Sequence, residues 1–309
     1  MKKTIFTLLL FSAIGLLSCR KNTVYPGIKQ VDQQNILAYI SANGLTGMKR
    51  DTVGGDTSGI YYQVLLPGKA GTSYKYTDSI SFVFALHSFD GLYSSPDTTT
   101  NHYANYAGNI TAHALPYALQ LIVHDVVTRG GSVRILMPSH LAYGVSGYGT
   151  GSSQNVNSRI AGNQCLDYYI HAIDNEASYD DLVIRNFMAR NNYSGYQRTP
   201  SGLWYFIHTP GTGTDLITNN TTVTLTYTAD QLNGINFDQY NTADGSGTAF
   251  DIPDLIPGLQ EGLEKFATTG AYVSFLIPST LAYGTGTFGG LVAANAIVHY
   301  EIRIVSVAP

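Results

Sequence analysis

From Val223 to Thr228 the apolar residues Val223, Leu225 and Tyr227 alternate with Thr224, Thr226 and Thr228. A period of two is the mark of a β-strand with one buried face. The last segment repeats it: Val298, Tyr300, Ile302 and Ile304 are predicted to point inward and His299, Glu301 and Arg303 outward, as in an antiparallel sheet with one wet side. Between these strands Pro257 suits the first turn of a short helix, where its missing N–H costs little, and Leu259, Leu263 and Phe266 then share one face. One helix across a curved antiparallel sheet is an α+β architecture.

The same order of events occurs twice. A helical pattern runs from Val31, Asp32 and Gln33 through Ile36, Tyr39 and Ile40 to Asn43, and again from Tyr179, Asp180 and Asp181 through Ile184, Phe187 and Met188 to Asn191. Asp32 and Asp180 stand where N-caps are expected, before an apolar stripe at i, i+3 and i+4. Ser58-Gly59-Ile60-Tyr61-Tyr62 is answered by Ser201-Gly202-Leu203-Trp204-Tyr205, Pro67-Gly68 by Pro210-Gly211, and Leu-Ala-Tyr-Gly recurs at 141–144 and 281–284. Repetition over such a length predicts two tandem domains, each a curved antiparallel sheet wrapped on a short helix and each preceded by an N-terminal helix. The expected division is 1–18, 19–30, 31–176 and 177–309.

Residues 1–18 read as a signal peptide. Lys2 and Lys3 precede a short apolar run, Ile5 to Leu17, that is too short for a stable membrane span. Leu16-Leu17-Ser18-Cys19 resembles the lipobox of bacterial lipoproteins, which implies that Cys19 carries the lipid and that residues 19–30 are a polar tether. The expected location is the cell envelope, lipid-anchored in the outer membrane and facing the periplasm. With 17 Lys and Arg against 21 Asp and Glu, no basic stripe exists for phosphate neutralisation, so nucleic acid is not an expected partner. The second cysteine, Cys165, lies in an apolar stretch and reads as a small buried hydrophobe. The histidines, among them His87, His124 and His171, have no zinc spacing, and Gly284, Gly286 and Gly289 precede a strand instead of a helix, so neither metal nor dinucleotide is expected.

From Ser201 to Val307 the motif order resembles the FKBP-type peptidyl-prolyl cis-trans isomerases. The motifs are Leu225-Thr226-Tyr227-Thr228, Gly234-Ile235-Asn236-Phe237-Asp238, Leu255-Ile256-Pro257-Gly258-Leu259, Ile277-Pro278-Ser279-Thr280-Leu281-Ala282-Tyr283-Gly284 and Asn295-Ala296-Ile297-Val298-His299-Tyr300. The resemblance implies a hydrophobic proline pocket walled by Tyr227, Phe237, Phe250, Leu255, Ile256, Phe288 and Tyr300. Its floor would be Leu259 and its polar members Asp238 and Tyr283, with Asp238, Tyr283 and Tyr227 as catalytic residues and no cofactor. Two departures stand out: Leu259 replaces the family's usual Trp, which predicts a deeper pocket, and Val292-Ala293-Ala294 replaces Ile-Pro-Pro, which predicts a looser rim.

The implied activity is isomerisation of X-Pro bonds in exported proteins, with macrolide inhibitors as further ligands. The alternative is a non-catalytic module that binds partner segments, distinguished by client binding without turnover. In the first copy Phe84, Tyr143 and Tyr168 match Tyr227, Tyr283 and Tyr300. There, however, Tyr93-Ser94-Ser95 replaces the Phe-Asp pair, Leu115-Pro116-Tyr117 lacks the Ile-Pro-Gly register, and an insertion rich in Gly, Ser and Asn runs from Val145 to Gly162 as an expected lid. That copy is expected to be degenerate, serving packing, dimerisation or client binding.

Overall fold

The structure is a computed structural model that describes residues 26–53, 58–71, 73–149, 159–242 and 244–308. The lipidation expected at Cys19 and the leader around it lie outside these residues. The first half contains helix α1 (Ile28–Ala42), strands β1 (Lys49–Arg50), β2 (Tyr61–Leu66), β3 (Ser79–Ser88), β4 (Ser94–Ser95) and β5 (His102–Tyr106), helix α2 (Tyr117–Asp125), and strands β6 (Ser132–Met137) and β7 (Leu166–Ile173). The second half repeats this order with α3 (Glu176–Arg190), β8 (Gln197–Arg198), β9 (Trp204–Thr209), β10 (Thr222–Gln231), β11 (Asn236–Tyr240), β12 (Thr248–Asp251), α4 (Pro257–Phe266), β13 (Tyr272–Ile277) and β14 (Val298–Ala308).

Both sheets are antiparallel, and they share one topology. The order β1-β2-β6-β7-β3-β4, with β5 also on β3, is matched by β8-β9-β13-β14-β10-β11, with β12 also on β10. Fold class is therefore α+β, as the alternating strands predicted. Helix α1 starts at Ile28, three residues inside the segment read as tether. Among the described residues no helix is long and apolar enough to cross a membrane.

Helix α4 lies across the concave face of the second sheet, with Pro257 at its first turn as expected. Leu259 and Leu263 enter a core with Val223, Val273, Phe275, Val298 and Ile302. The approach is close because Gly262 faces the sheet: a Cβ there would come within 2.7 Å of the Phe275 ring. A helix carrying larger residues on that face could not sit as low on the strands.

The opposite face is not wet along its whole length, contrary to the alternation of β14. His299 is only 7% exposed. Helix α3 covers it with Phe187, whose ring centre is 6.2 Å away, and Ser274 Oγ lies 2.9 Å from His299 Nε2. Leu276, on the same face, packs with Ile184, Phe187 and Met188. Burial lowers the pKa of His299 and so favours the neutral imidazole, whose Nε2 finds its partner in the Ser274 hydroxyl.

Asp32 and Asp180 do not cap their own helices. Both lie one turn inside, and the cap of α3 is Asn175, whose side chain accepts the Ser178 N–H at 2.8 Å. Asp180, fully buried, accepts both the backbone N–H and the hydroxyl of Ser279 on Oδ2, at 2.8 and 2.7 Å. Asp32 likewise accepts the Ser139 hydroxyl at 2.7 Å and the His140 N–H at 3.2 Å. Each carboxylate thus caps a neighbouring 3-10 turn, Ser139–Leu141 or Ser279–Leu281, and so pins the helix to the loop that ends in Leu-Ala-Tyr-Gly.

Candidate functional site

A cavity of about 190 Å³ opens between α4 and the second sheet. Strand β10 contributes Leu225 and Tyr227, β11 Asp238 and β12 Phe250. Asp254, Leu255 and Ile256 come from the turn into α4, and Leu259 from its first turn. Tyr283 and Phe288 come from the loop after β13, and Tyr300 and Ile302 from β14. Phe237 closes the wall behind Tyr283, Phe288 and Tyr300, with ring centres 6.2, 6.1 and 6.0 Å away. All ten pocket residues expected from the sequence therefore meet at one place. Leu225, Asp254 and Ile302 line it as well and were not foreseen, although the period-two pattern put Leu225 and Ile302 on the faces of Tyr227 and Tyr300.

Phe237 and Asp238 are neighbours in sequence and should face opposite sides of a strand. They share one cavity because the β10–β11 register slips between Ala229 and Asp230: Ala229 pairs with Asp238, Asp230 with Asn236, and Phe237 is the extra residue. The bulge re-aims two consecutive side chains inward. Asn236 holds it, its amide donating to the Ala229 carbonyl at 3.2 Å and to Asp230 Oδ1 at 2.9 Å.

Two polar pairs mark the apolar wall. The Tyr227 hydroxyl donates to Asp238 Oδ2 at 2.8 Å, and the hydroxyls of Tyr283 and Tyr300 are 3.0 Å apart. Burial raises the pKa of Tyr227, reinforced by its bond to Asp238 and by that charge. Burial first, and then Tyr283, raises that of Tyr300, and burial raises that of Tyr283 as well. The three phenols are thus held neutral; the Tyr227 proton is committed to Asp238, and the Tyr283–Tyr300 pair keeps one O–H to offer an entering carbonyl.

Leu259 forms the floor and is 6% exposed. Val292 does not loosen the rim at its own position. It is 1% exposed in the core and bridges back to Phe288, whose N–H donates to the Val292 carbonyl at 3.2 Å.

In the first half Phe84 and Tyr143 are half-buried, like Tyr227 and Tyr283. Tyr168 is fully buried, with the Phe84 ring 5.9 Å away. Tyr143 is stacked by Tyr148 at 4.7 Å, and Tyr148 forms an antiparallel bridge to Ile160. The bridge draws the two ends of the Val145–Gly162 insertion together, as the Phe288–Val292 bridge does in the second half, where Phe288 stacks on Tyr283 at 4.9 Å. Cys165 is buried beside Asp32, and burial pushes its thiol up to about 12, which leaves it unreactive as expected. Among the described residues no group of three or more His, Cys, Asp or Glu side chains is placed to hold a metal ion.

Residues 213–305 match the model of the family described as FKBP-type peptidyl-prolyl cis-trans isomerase. FkpA of Buchnera aphidicola subsp. Acyrthosiphon pisum (strain APS), an FKBP-type peptidyl-prolyl cis-trans isomerase, is 31% identical over 127 residues, covering 41% of this chain and 50% of its own. The outer membrane protein MIP of Legionella longbeachae is 32% identical over 136 residues, covering 44% of this chain and 55% of its own. The chain thus spans about half the length of the curated relatives it matches. Among solved structures, a peptidyl-prolyl cis-trans isomerase from Pseudomonas syringae pv. tomato str. DC3000 is 27% identical, with 44% of this chain and 98% of that chain covered at a TM-score of 0.37.

Proposed function

We propose that the protein is a peptidyl-prolyl cis-trans isomerase that assists folding of exported proteins in the bacterial cell envelope. The observation that carries this reading is the aromatic cavity of about 190 Å³ with Asp238 and Tyr283 on one wall. Rotation about a peptide bond is opposed by ~18 to 20 kcal/mol because the C–N bond is partly double, and only X-Pro bonds have cis and trans forms of similar energy. Twisting the amide removes the resonance that places charge on its oxygen. A dry apolar wall therefore raises the planar ground state more than the twisted transition state. Tyr283 donates to a substrate carbonyl, while Asp238, oriented by Tyr227, faces the distorted amide. Phe237, Phe250, Leu255, Ile256, Leu259, Phe288 and Tyr300 hold the proline, and the same cavity would admit macrolide inhibitors.

The proposed organisation is a signal peptide at 1–18, a tether at 19–30 lipidated at Cys19, a degenerate domain at 31–176 and the isomerase domain at 177–309, anchored to the outer membrane on its periplasmic side. The degenerate role assigned to the first domain is supported by Tyr93-Ser94-Ser95 standing in place of the Phe237-Asp238 pair, which leaves no carboxylate at the position of Asp238. NMR exchange on a Leu-Pro peptide tests the catalytic reading: turnover should exceed background and fall at least tenfold in Asp238→Ala and severalfold in Tyr283→Phe, with both variants folded. Folded wild-type protein without turnover would refute catalysis, and retained peptide binding would then favour a non-catalytic module.

A further inference from the structure

We infer that the cavity prefers prolyl segments carrying a Lys or Arg beside the proline, and that Asp254 together with Asp238 sets this preference. The inference rests on the peptidyl-prolyl reading above and names its substrate class. Two of the cavity's lining residues are carboxylates, and none is Lys or Arg. Asp238 takes the Tyr227 hydroxyl and forms no ion pair among the described residues. Asp254 stands exposed at the mouth, where α4 begins.

The surrounding segment offers these charges no internal partner. Residues 213–305 contain nine Asp and Glu against two Lys and Arg, although the whole chain has a net charge of only -4. Both cations are engaged elsewhere: Lys265 Nζ pairs with Glu261 at 2.9 Å, and the Arg303 guanidinium lies 3.7 Å over the Tyr272 ring. A concave site with apolar walls and one sign of charge concentrates the field in its mouth. A cation beside a bound proline would gain from both carboxylates, and a Glu at the same place would be repelled, so attraction and rejection act together.

The experiment uses the full chain and two peptide series, one varying the residue before the proline and one the residue after it, each as Lys, Leu or Glu. Exchange rates measured by NMR at low ionic strength should favour Lys over Glu by about fivefold in at least one series, as expected for charges in a partly exposed cleft. The ratio should shrink toward unity at about 1 M salt, where the screening length is ~3 Å. Asp254→Asn should roughly halve it, and Asp254→Lys should tilt it toward Glu. Leu-Pro turnover with equal Lys and Glu rates in both series overturns the inference and leaves the isomerase reading intact. So does a ratio that neither Asp254 variant moves. If no peptide turns over, the isomerase reading falls instead, and titrated affinities of the same peptides decide the preference: Lys tighter than Glu supports it, and equal affinity overturns it.

Discussion

At the scale of the residue, the cavity's polarity is concentrated in a few oxygens, among them the Asp238 carboxyl and the hydroxyls of Tyr227, Tyr283 and Tyr300. The Tyr227–Asp238 bond joins a carboxyl to a phenol at the cavity wall. Removing the hydroxyl in Tyr227→Phe should lower stability by ~1 kcal/mol, since Asp238 is half exposed and water can replace the lost donor. A shift of the urea midpoint at constant slope checks this. The same variant should reduce turnover, because a carboxylate without its donor is free to rotate away from the amide. Eight of the ten expected cavity residues were legible in the motif order, since each motif carries one to three of them, and Phe250 and Phe288 came only with the family resemblance. Asp254 was not legible, because nothing in a turn preceding Leu255 says that its side chain belongs to a site formed by five separate elements.

At the scale of the element, helices α1 and α3 act as clamps. Each places a buried carboxylate inside the turn that follows a central strand and so fixes the loop bearing Tyr143 or Tyr283. Asp180→Ala should cost about 3 kcal/mol, because it leaves a buried N–H and a buried hydroxyl of Ser279 without their acceptor. Chemical denaturation reads the loss. Exchange of the Ser279 amide with solvent should accelerate in parallel, whereas a change confined to the helix would leave that amide protected. Local pattern led to the N-cap reading of Asp32 and Asp180 because an acidic residue ahead of an apolar stripe looks the same in both cases. The true partners lie 107 and 99 residues away in sequence, a distance no helical period encodes. The bulge at Phe237 is similar: two adjacent inward residues contradict strand alternation, and only the register with β10 resolves it.

At the scale of the whole molecule, the N-terminal turn of α3 meets the first sheet. The Asn233 amide donates to Asp97 Oδ2 at 2.8 Å across the two halves, and His102 lies against Tyr179 and Glu176. His102 Nε2 approaches Glu176 Oε1 at 3.4 Å, yet this is not an ion pair: burial holds the imidazole down at about 4, and its Nε2 already faces Ser81 Oγ at 2.7 Å. Burial pushes Glu176 up to about 7, opposed by Ser81, and Asp180 up to about 6, opposed by its bonds to Ser279. Both carboxyls keep their protons in the folded chain over a range where the unfolded chain, with ordinary values near ~4, has lost them. Their contribution is therefore fully present below about pH 4 and is lost as pH rises through about 6 to 7. Glu176→Gln should flatten the decline in unfolding free energy over that window and leave the variant more stable than wild type above it, as measured by denaturant melts at several pH values. A wild-type profile with no such decline would contradict the burial of Glu176 at this junction.

The amino-acid sequence by itself determined the α+β class, the repeated order of elements and nearly all of the cavity's membership. Those features are written in local periodicity and in short motifs, and each copy of the pattern must bury its own apolar face. Tertiary structure alone decided which face of the second sheet α3 covers, which loops the buried aspartates hold, and how Phe237 and Asp238 come to share a wall. It also decided that Tyr148 stacks on Tyr143 in the first half as Phe288 stacks on Tyr283 in the second. These depend on contacts between segments far apart in the chain, and there packing and the satisfaction of buried polar groups outweigh any preference a short stretch of sequence can express.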